Sequence, residues 1–278
     1  MNHTISKQEL RRPDQLTAAA QKFFGRILQN QKLVLIFLAL ILLSGVVYII
    51  LDKTSMSKEM ELQEQYYSIE KTYIKKKESF EKFENEKKDP TKKVSAKKDD
   101  VKAEAASGDL SKDYGAEVDA WIKLIESHQS SKAGAMAALE LSQLYVKYNK
   151  VSEAVQILAK VKNQQSSNNL LGALVFHSYA NLLANQGQCQ EAVGIWENLE
   201  KKKNISFLNE PALMGKALCL ESMGQVEKAE SLLKDLVAGK NSNDKTAQQK
   251  SKTLTQKNAE KYLKYLQLKK NLSVTKPS

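Results

Sequence analysis

The sequence predicts an all-α protein: a single transmembrane helix, a helical stalk, and a solenoid of about three helix pairs with a C-terminal capping helix. Good helix formers dominate the composition, and the 278 residues include only 4 prolines and 11 glycines. No segment shows the alternation of apolar and polar residues that is typical of strands. Apolar residues instead recur at helical spacing through most of the chain.

An uncharged apolar run at residues 33–51 predicts the transmembrane helix. As a helix it extends about 28 Å, close to the roughly 30 Å hydrocarbon thickness of a bilayer. Lys32 and Asp52 place charges at both of its ends. The run is longer than the apolar part of a cleaved signal peptide and starts late, so we expect an uncleaved signal anchor.

The distribution of basic residues predicts the orientation of the span. Residues 1–32 contain six Lys/Arg and two acidic residues. This bias favours a cytoplasmic N-terminal segment and a C-terminal part on the other side of the membrane. Within the segment, an amphipathic stretch that begins at Pro13 could lie in the membrane interface or extend the span inward.

Residues 52–112 form the predicted stalk and linker. Large apolar residues between 57 and 88 alternate at spacings of three and four, and Lys76 interrupts this seam. The pattern fits two alternatives, a stalk that dimerises as a coiled coil and a solvated spacer helix. Residues 87–112 are rich in lysine, aspartate, alanine and serine, which predicts a flexible tether.

A repeat organises residues 113–240. Three alanines stand 38 and 37 residues apart, and each follows a turn residue by five positions. The alanines are Ala154, Ala192 and Ala229, and the turn residues are Asn149, Gly187 and Gly224. A small residue lets one helix approach another closely, and a turn residue ends the preceding helix, so the pattern predicts stacked helix pairs.

These segments resemble the tetratricopeptide family, whose helix–turn–helix units stack into a protein-binding solenoid. Residues 114–127 look like a preceding half-repeat, and a long helix near 244–270, within the basic region 241–278, looks like a capping helix. The spacing exceeds the 34 residues of that family. Lys216 also occupies a position that the family usually fills with a large apolar residue.

The overall layout resembles the ancillary subunit of the bacterial SecYEG translocon. That resemblance implies a single-pass protein of the inner (plasma) membrane with a periplasmic domain. Its partners would be translocon subunits, periplasmic chaperones or client polypeptides, which it would serve as a scaffold or chaperone-like adaptor. The alternative is an envelope structural or cell-division scaffold that forms a homodimer through its stalk.

The sequence contains no motif for catalysis, cofactor binding or metal binding. Its three histidines are isolated, and no phosphate-binding glycine loop occurs. We therefore expect a protein that is not an enzyme. The net charge of +11 concentrates at the two ends of the chain. Such ends can bind nucleic acid or anionic lipid, but we expect a solvated tail and no nucleic-acid partner.

The resemblance to the tetratricopeptide family implies a peptide-binding concave face. Position by position, that face would contain Gln143, Lys147, His177, Asn181, Asn185, Leu218 and Ser222. These residues could bind varied peptides or only solvate the groove. Leu139 and Gln143 replace two residues of the family's carboxylate clamp, so that binding mode is not expected. Cys189 and Cys219 could form a disulfide in an oxidising compartment or remain buried thiols.

Overall fold

A computed structural model of the chain describes residues 31–88, 103–240 and 252–274. The described residues form helices and turns without a strand, which confirms the all-α prediction. The helices are α1 (Gln31–Lys88), α2 (Leu110–Ser127), α3 (Lys132–Lys147), α4 (Val151–Lys162), α5 (Leu170–Asn185), α6 (Cys189–Glu200), α7 (Asn209–Ser222), α8 (Val226–Val237) and α9 (Leu254–Val274). A short 3-10 helix, Lys203–Leu208, precedes α7.

Local sequence signals set the helix boundaries in the repeats. Ser131 and Asn169 cap α3 and α5, because each side-chain oxygen accepts a hydrogen bond from a backbone N–H of the first turn. The predicted turn residues separate the two helices of each pair. Asn149, Gly187 and Gly224 have φ angles of 59°, 78° and 77°, in the left-handed region that favours glycine and asparagine.

Three helix pairs, α3–α4, α5–α6 and α7–α8, stack as a solenoid like that of tetratricopeptide repeats (TPR-like). We call the first member of each pair helix A and the second helix B. The three repeat alanines are fully buried, as the pattern predicted, and so are the large residues four positions later. Those residues are Leu158, Trp196 and Leu233. The small residues thus bring the helices together, and the large ones fill the space beside them.

The capping helix α9 packs on α7 and α8 at the end of the stack. Its Leu266 and Ala259 join a core cluster with Leu233 and Leu236 of α8. The Tyr262 hydroxyl and the Lys269 amine donate hydrogen bonds to the Glu221 carboxylate, at 3.1 and 2.7 Å. Apolar burial and polar contacts together hold this helix in place.

The chain divides into two compact units, Met1–Lys58 and Glu59–Ser278, at a point within α1. In the first unit, the apolar residues from Leu40 onward expose their side chains. Among the described residues, this helix alone is long and apolar enough to cross a bilayer. The amphipathic stretch from Pro13, most of the tether, and residues 241–251 lie outside the described residues.

The structure corrects the prediction for the stalk, because the seam of α1 packs against the chain's own repeats. Tyr66 is buried in the core of the solenoid. The centre of the Tyr73 ring lies 5.1 Å from the ring centres of both Tyr114 and Trp121. The ring centre of Phe80 lies 5.5 Å from that of Tyr114. Neither a solvated spacer nor a seam free to dimerise describes this part of the chain. It supplies the missing partner of the half-repeat α2.

Lys76, which interrupts the predicted seam, has a specific partner in the structure. Its amine donates a 2.7 Å hydrogen bond to the carboxylate of Glu117, a buried residue of α2. A buried carboxylate requires a compensating charge, and Lys76 provides it. The interruption therefore reflects an ion pair within the chain.

The last residues of the predicted tether are ordered by Asp113. Its carboxylate accepts hydrogen bonds from the backbone N–H groups of Ser107 and Gly108, at 2.8 and 3.1 Å. It also accepts a 2.7 Å hydrogen bond from the hydroxyl of Tyr148, the residue that follows α3. Burial raises the pKa of Asp113, but these hydrogen bonds outweigh it, and the pKa lies below its ordinary value.

We expect Asp113→Asn to lower the free energy of unfolding by about 1–3 kcal/mol at neutral pH, because charge-assisted hydrogen bonds are lost. A carboxyl with a lowered pKa stabilises the fold above its unfolded pKa, near 4, and loses that contribution as pH falls through the folded pKa. Urea unfolding should therefore show a clear difference in the free energy of unfolding between wild type and Asp113→Asn at pH 7, and a smaller difference at pH 3. An equal difference at both pH values would contradict this role.

Candidate functional site

The candidate site is the surface lined by the A helices. Successive A helices touch one another directly, α3 with α5 and α5 with α7, and α7 contacts the capping helix α9. Such direct contact between successive A helices is expected on the concave side of a solenoid. The predicted residues recur every four positions on each A helix, so those of one helix share one face.

The concave surface is open and mostly uncharged. Gln143 and Lys147 on α3, and Asn181 and Asn185 on α5, are exposed. Leu218 on α7 is 38% exposed, an unusual state for leucine in an A helix whose neighbouring Ala217 is fully buried. Carboxamides beside an exposed leucine can donate, accept and make apolar contact, which suits an extended peptide.

His177 is only partly accessible from this surface. Its Nδ1 atom is buried and has no hydrogen-bond partner among the described residues. Burial lowers the pKa of its imidazole, so the ring is neutral at physiological pH. His177 thus presents an uncharged ring at the floor of the groove.

Ser222 lies beside a disulfide. Its hydroxyl donates a 2.9 Å hydrogen bond to the Cys219 carbonyl, and its oxygen lies 3.2 Å from the Cys189 sulfur. Ser222 is exposed, but its polar contacts are made within the chain. Of the seven predicted residues, it is the one most closely tied to the internal structure.

The structure joins Cys189 and Cys219 in a disulfide, with their Cα atoms 5.1 Å apart. Cys189 begins helix B of the second pair, and Cys219 lies late on helix A of the third pair. Both residues are buried. The bond therefore links two successive helix pairs.

A cleft of about 480 Å³ lies on the convex side of the stack, between α6 and α8. The Lys216 amine at its floor lies 3.1 Å from a carboxylate oxygen of Glu197 and 3.6 Å from one of Glu200. Burial raises the pKa of Glu200, and Lys216 partly offsets that effect. Sequence reasoning singled out Lys216 as a departure from the family pattern but did not predict this cleft. Acidic partners spaced three residues apart on α6 were the available signal.

Within the described ranges, His, Cys, Asp and Glu side chains form no group of three that could bind a metal. The concave surface offers carboxamides and one apolar side chain, and the convex cleft offers a compensated ion pair. These are features of a surface that contacts other molecules.

Comparisons with known proteins identify the family. The model of the coatomer epsilon subunit family matches residues 112–276, more than half of the chain. A structure of a Podosopora anserina putative kinesin light chain with nearly identical TPR-like repeats aligns at 18% identity, with a TM-score of 0.42, over 55% of this chain and 76% of that one.

A second structure of that kinesin light chain, carrying a single substitution, aligns at 17% identity, with a TM-score of 0.39, over 56% of this chain and 88% of that one. The comparison with curated proteins gave no match. The family match begins at residue 112, within the first turn of α2, and ends at residue 276, just after the capping helix, so it includes every helix pair. This chain belongs to the coatomer epsilon subunit family.

Proposed function

We propose that this protein is a membrane-anchored adaptor that binds other proteins through its helical repeats and catalyses no reaction. The observation that carries the proposal is the combination of an exposed apolar helix with an open, mostly uncharged concave surface. The apolar helix would hold the chain in a membrane, and the A helices would present the binding surface.

The disulfide supports placing the repeats in an oxidising compartment. Disulfides persist in the periplasm and outside cells and are rare in the reducing cytosol. The charge distribution around the span favours a cytoplasmic N-terminus, which agrees with that placement. We propose a bacterial inner membrane protein with a periplasmic repeat domain, acting beside the secretion translocon or in envelope assembly.

The family favours a second candidate, a subunit of a vesicle coat. A coat subunit would work in the cytosol, where Cys189 and Cys219 would remain reduced. An envelope scaffold that dimerises through its stalk is less favoured, because Tyr66 and Tyr73 of the seam pack within the chain. The location of the repeat domain separates the periplasmic adaptor from the coat subunit.

Photocrosslinking in cells tests the proposed binding surface. We expect a photoreactive amino acid at Asn181 or Asn185 of the full chain to capture translocon subunits, periplasmic chaperones or secreted polypeptides. Gln156 on the exposed side of α4 is a matched control position that should capture far less. Recovery of only cytosolic proteins, or equal capture from all three positions, would contradict the proposal.

A topology reporter fused after Ser278 identifies the compartment that contains the repeat domain. We expect alkaline phosphatase, which needs an oxidising compartment, to be active there and a cytosolic reporter to be inactive. The opposite result would favour the coat subunit and exclude the periplasmic adaptor.

A further inference from the structure

One edge of the solenoid differs from the rest of its surface. We define the loop edge as the turns that lead from each helix B, or from α2, to the next helix A, together with the start of α9: residues 128–132, 163–170, 201–208 and 252–254. Hydrogen bonds connect neighbouring turns. Gln165 donates through its side-chain amide to the Gln129 carbonyl at 3.0 Å, and Asn204 donates to the Asn168 carbonyl. The loop edge is therefore a continuous strip.

Large apolar side chains project from the loop edge at successive turns. Leu170, Phe207 and Leu254 are 58%, 55% and 76% exposed. Each stands at or beside the start of an A helix or of α9. Their recurrence on one edge indicates a shared apolar contact outside the chain.

The same edge carries exposed positive charge. Lys132 and Lys201 are exposed on the loop edge, and Lys257 is exposed in the first turn of α9, next to it. Two acidic side chains that flank the loop edge are engaged within the chain. Glu126 pairs with Lys160, and Glu210 accepts hydrogen bonds from Thr253 and Gln256. Lysines around exposed leucine and phenylalanine are the composition of surfaces that bind anionic lipid.

Chain connectivity places this edge near the membrane. The Glu59 carboxylate accepts hydrogen bonds from the backbone N–H groups of Lys132 and Ala133 at the start of α3, at 3.0 and 3.2 Å. Glu59 therefore contacts the loop edge. It follows the apolar run, which ends at Leu51, by eight residues. Even a fully extended chain of that length spans at most about 28 Å.

We propose that the loop edge docks on the surface of the bilayer in which the chain is anchored, with its leucines and phenylalanine at the headgroup boundary and its lysines on anionic headgroups. The inference rests on the proposed membrane anchor. Docking would place the starts of the A helices at the bilayer surface, with the helices at a steep angle to it. Their concave surface would then remain accessible to partners from the side. Partners would then bind close to the membrane.

Spin labelling of the full chain in vesicles tests this docking. A nitroxide is attached to Leu170→Cys or Leu254→Cys without reductant, so that the native disulfide is retained. In vesicles of phosphatidylcholine and phosphatidylserine, we expect both labels to be more accessible to oxygen than to a water-soluble nickel chelate. The exposed Leu268 of α9 lies away from the loop edge, and a label at Leu268→Cys should behave as water-exposed.

Removing the charges of three lysines measures how much they contribute to docking. Changing Lys132, Lys201 and Lys257 to Gln should reduce the ratio of docked to undocked label on the order of a hundredfold, since each lysine near an anionic surface contributes about fivefold. The matched control changes Lys112, Lys150 and Lys228 to Gln at the opposite edge and should leave the ratio unchanged.

Three results would overturn the inference. Labels at 170 and 254 that are as water-exposed as the label at 268 would exclude docking, although the chain stays in the vesicles. Shielding that requires an added soluble protein would assign the edge to a protein partner. A chain that alkaline carbonate washes from the vesicles would overturn both the anchor and the docking.

Discussion

Breaking the Cys189–Cys219 disulfide is expected to lower the free energy of unfolding by about 3–4 kcal/mol. The bond closes a loop with a sequence separation of 30 residues, and cross-linking a loop of that length removes roughly this much conformational entropy from the unfolded chain. Urea unfolding of the full chain in mild detergent, followed by circular dichroism, measures the loss. The comparison is between oxidised protein, reduced protein and the double variant Cys189→Ala, Cys219→Ala.

The position of the bond predicts how unfolding changes as well as by how much. The bond crosses from the second helix pair to the third, and the apolar core separates into two clusters within that third pair, where α7 contributes residues to both. Without it, α7, α8 and α9 should unfold at lower urea than the preceding pairs, because stability in a solenoid depends on the contacts between neighbours. The single transition of the oxidised protein should then become two.

The double variant is its own control, since reductant should not change its unfolding. Reduced wild-type protein should match the variant to within the small cost of two truncated side chains. Two reactive thiols in denatured protein that was never reduced would show that the bridge is absent. That result would also remove the main support for an oxidising compartment.

The repeats could be predicted from the sequence because their signals are local. Ala154, Ala192 and Ala229 each combine a small size with a fixed distance from a turn residue, and both properties are visible in one chain. The span could be predicted for the same reason, since an uncharged apolar run depends on no other part of the fold.

The packing of α1 could not be predicted, because it depends on contacts across a long separation. The periodic seam around Tyr66 and Tyr73 is compatible with any apolar partner, and a coiled coil or the protein's own repeats satisfy it equally. Lys76 argued against a coiled coil, but its partner Glu117 lies 41 residues away. Only the fold identifies that pair.

The candidate site was predicted in part. Helical spacing correctly grouped Asn181 with Asn185 on one exposed face of α5. It could not show that the Nδ1 atom of His177 is buried, because the neighbouring helices cover that atom. The loop edge was missed because Leu170 and Phe207 stand singly in loops, where one apolar residue forms no pattern within its own segment.

A second repeat signal, at the starts of the A helices, leads to the other large prediction. Gly134 and Gly172 are 38 residues apart, the same step that separates Ala154 from Ala192. Each donates its backbone N–H to the side chain that caps its helix, Ser131 at 2.9 Å and Asn169 at 2.7 Å. A Cβ atom on either glycine would collide with a backbone carbonyl oxygen of the preceding turn.

We expect Gly172→Ala to lower the free energy of unfolding by about 2–4 kcal/mol. The new methyl group would collide with the Ser166 carbonyl, so the turn must move, and the collision costs about as much as overpacking a core while the cap is also lost. Gly134→Ala should have a similar effect through the His128 carbonyl. Urea unfolding followed by circular dichroism measures both variants.

Gly194→Ala is the matched control, because it makes the same change in the middle of α6, where an added Cβ meets no atom within 4 Å. Alanine is the better helix former, so this variant should gain about 0.5–1 kcal/mol. If the same substitution destabilises the protein at Gly172 and stabilises it at Gly194, helix propensity does not explain the glycines at the starts of α3 and α5. The close approach of the preceding turn's backbone would explain them. If Gly172→Ala instead stabilised the protein, as Gly194→Ala should, the turn before α5 could move at no cost in free energy, and the prediction would be wrong.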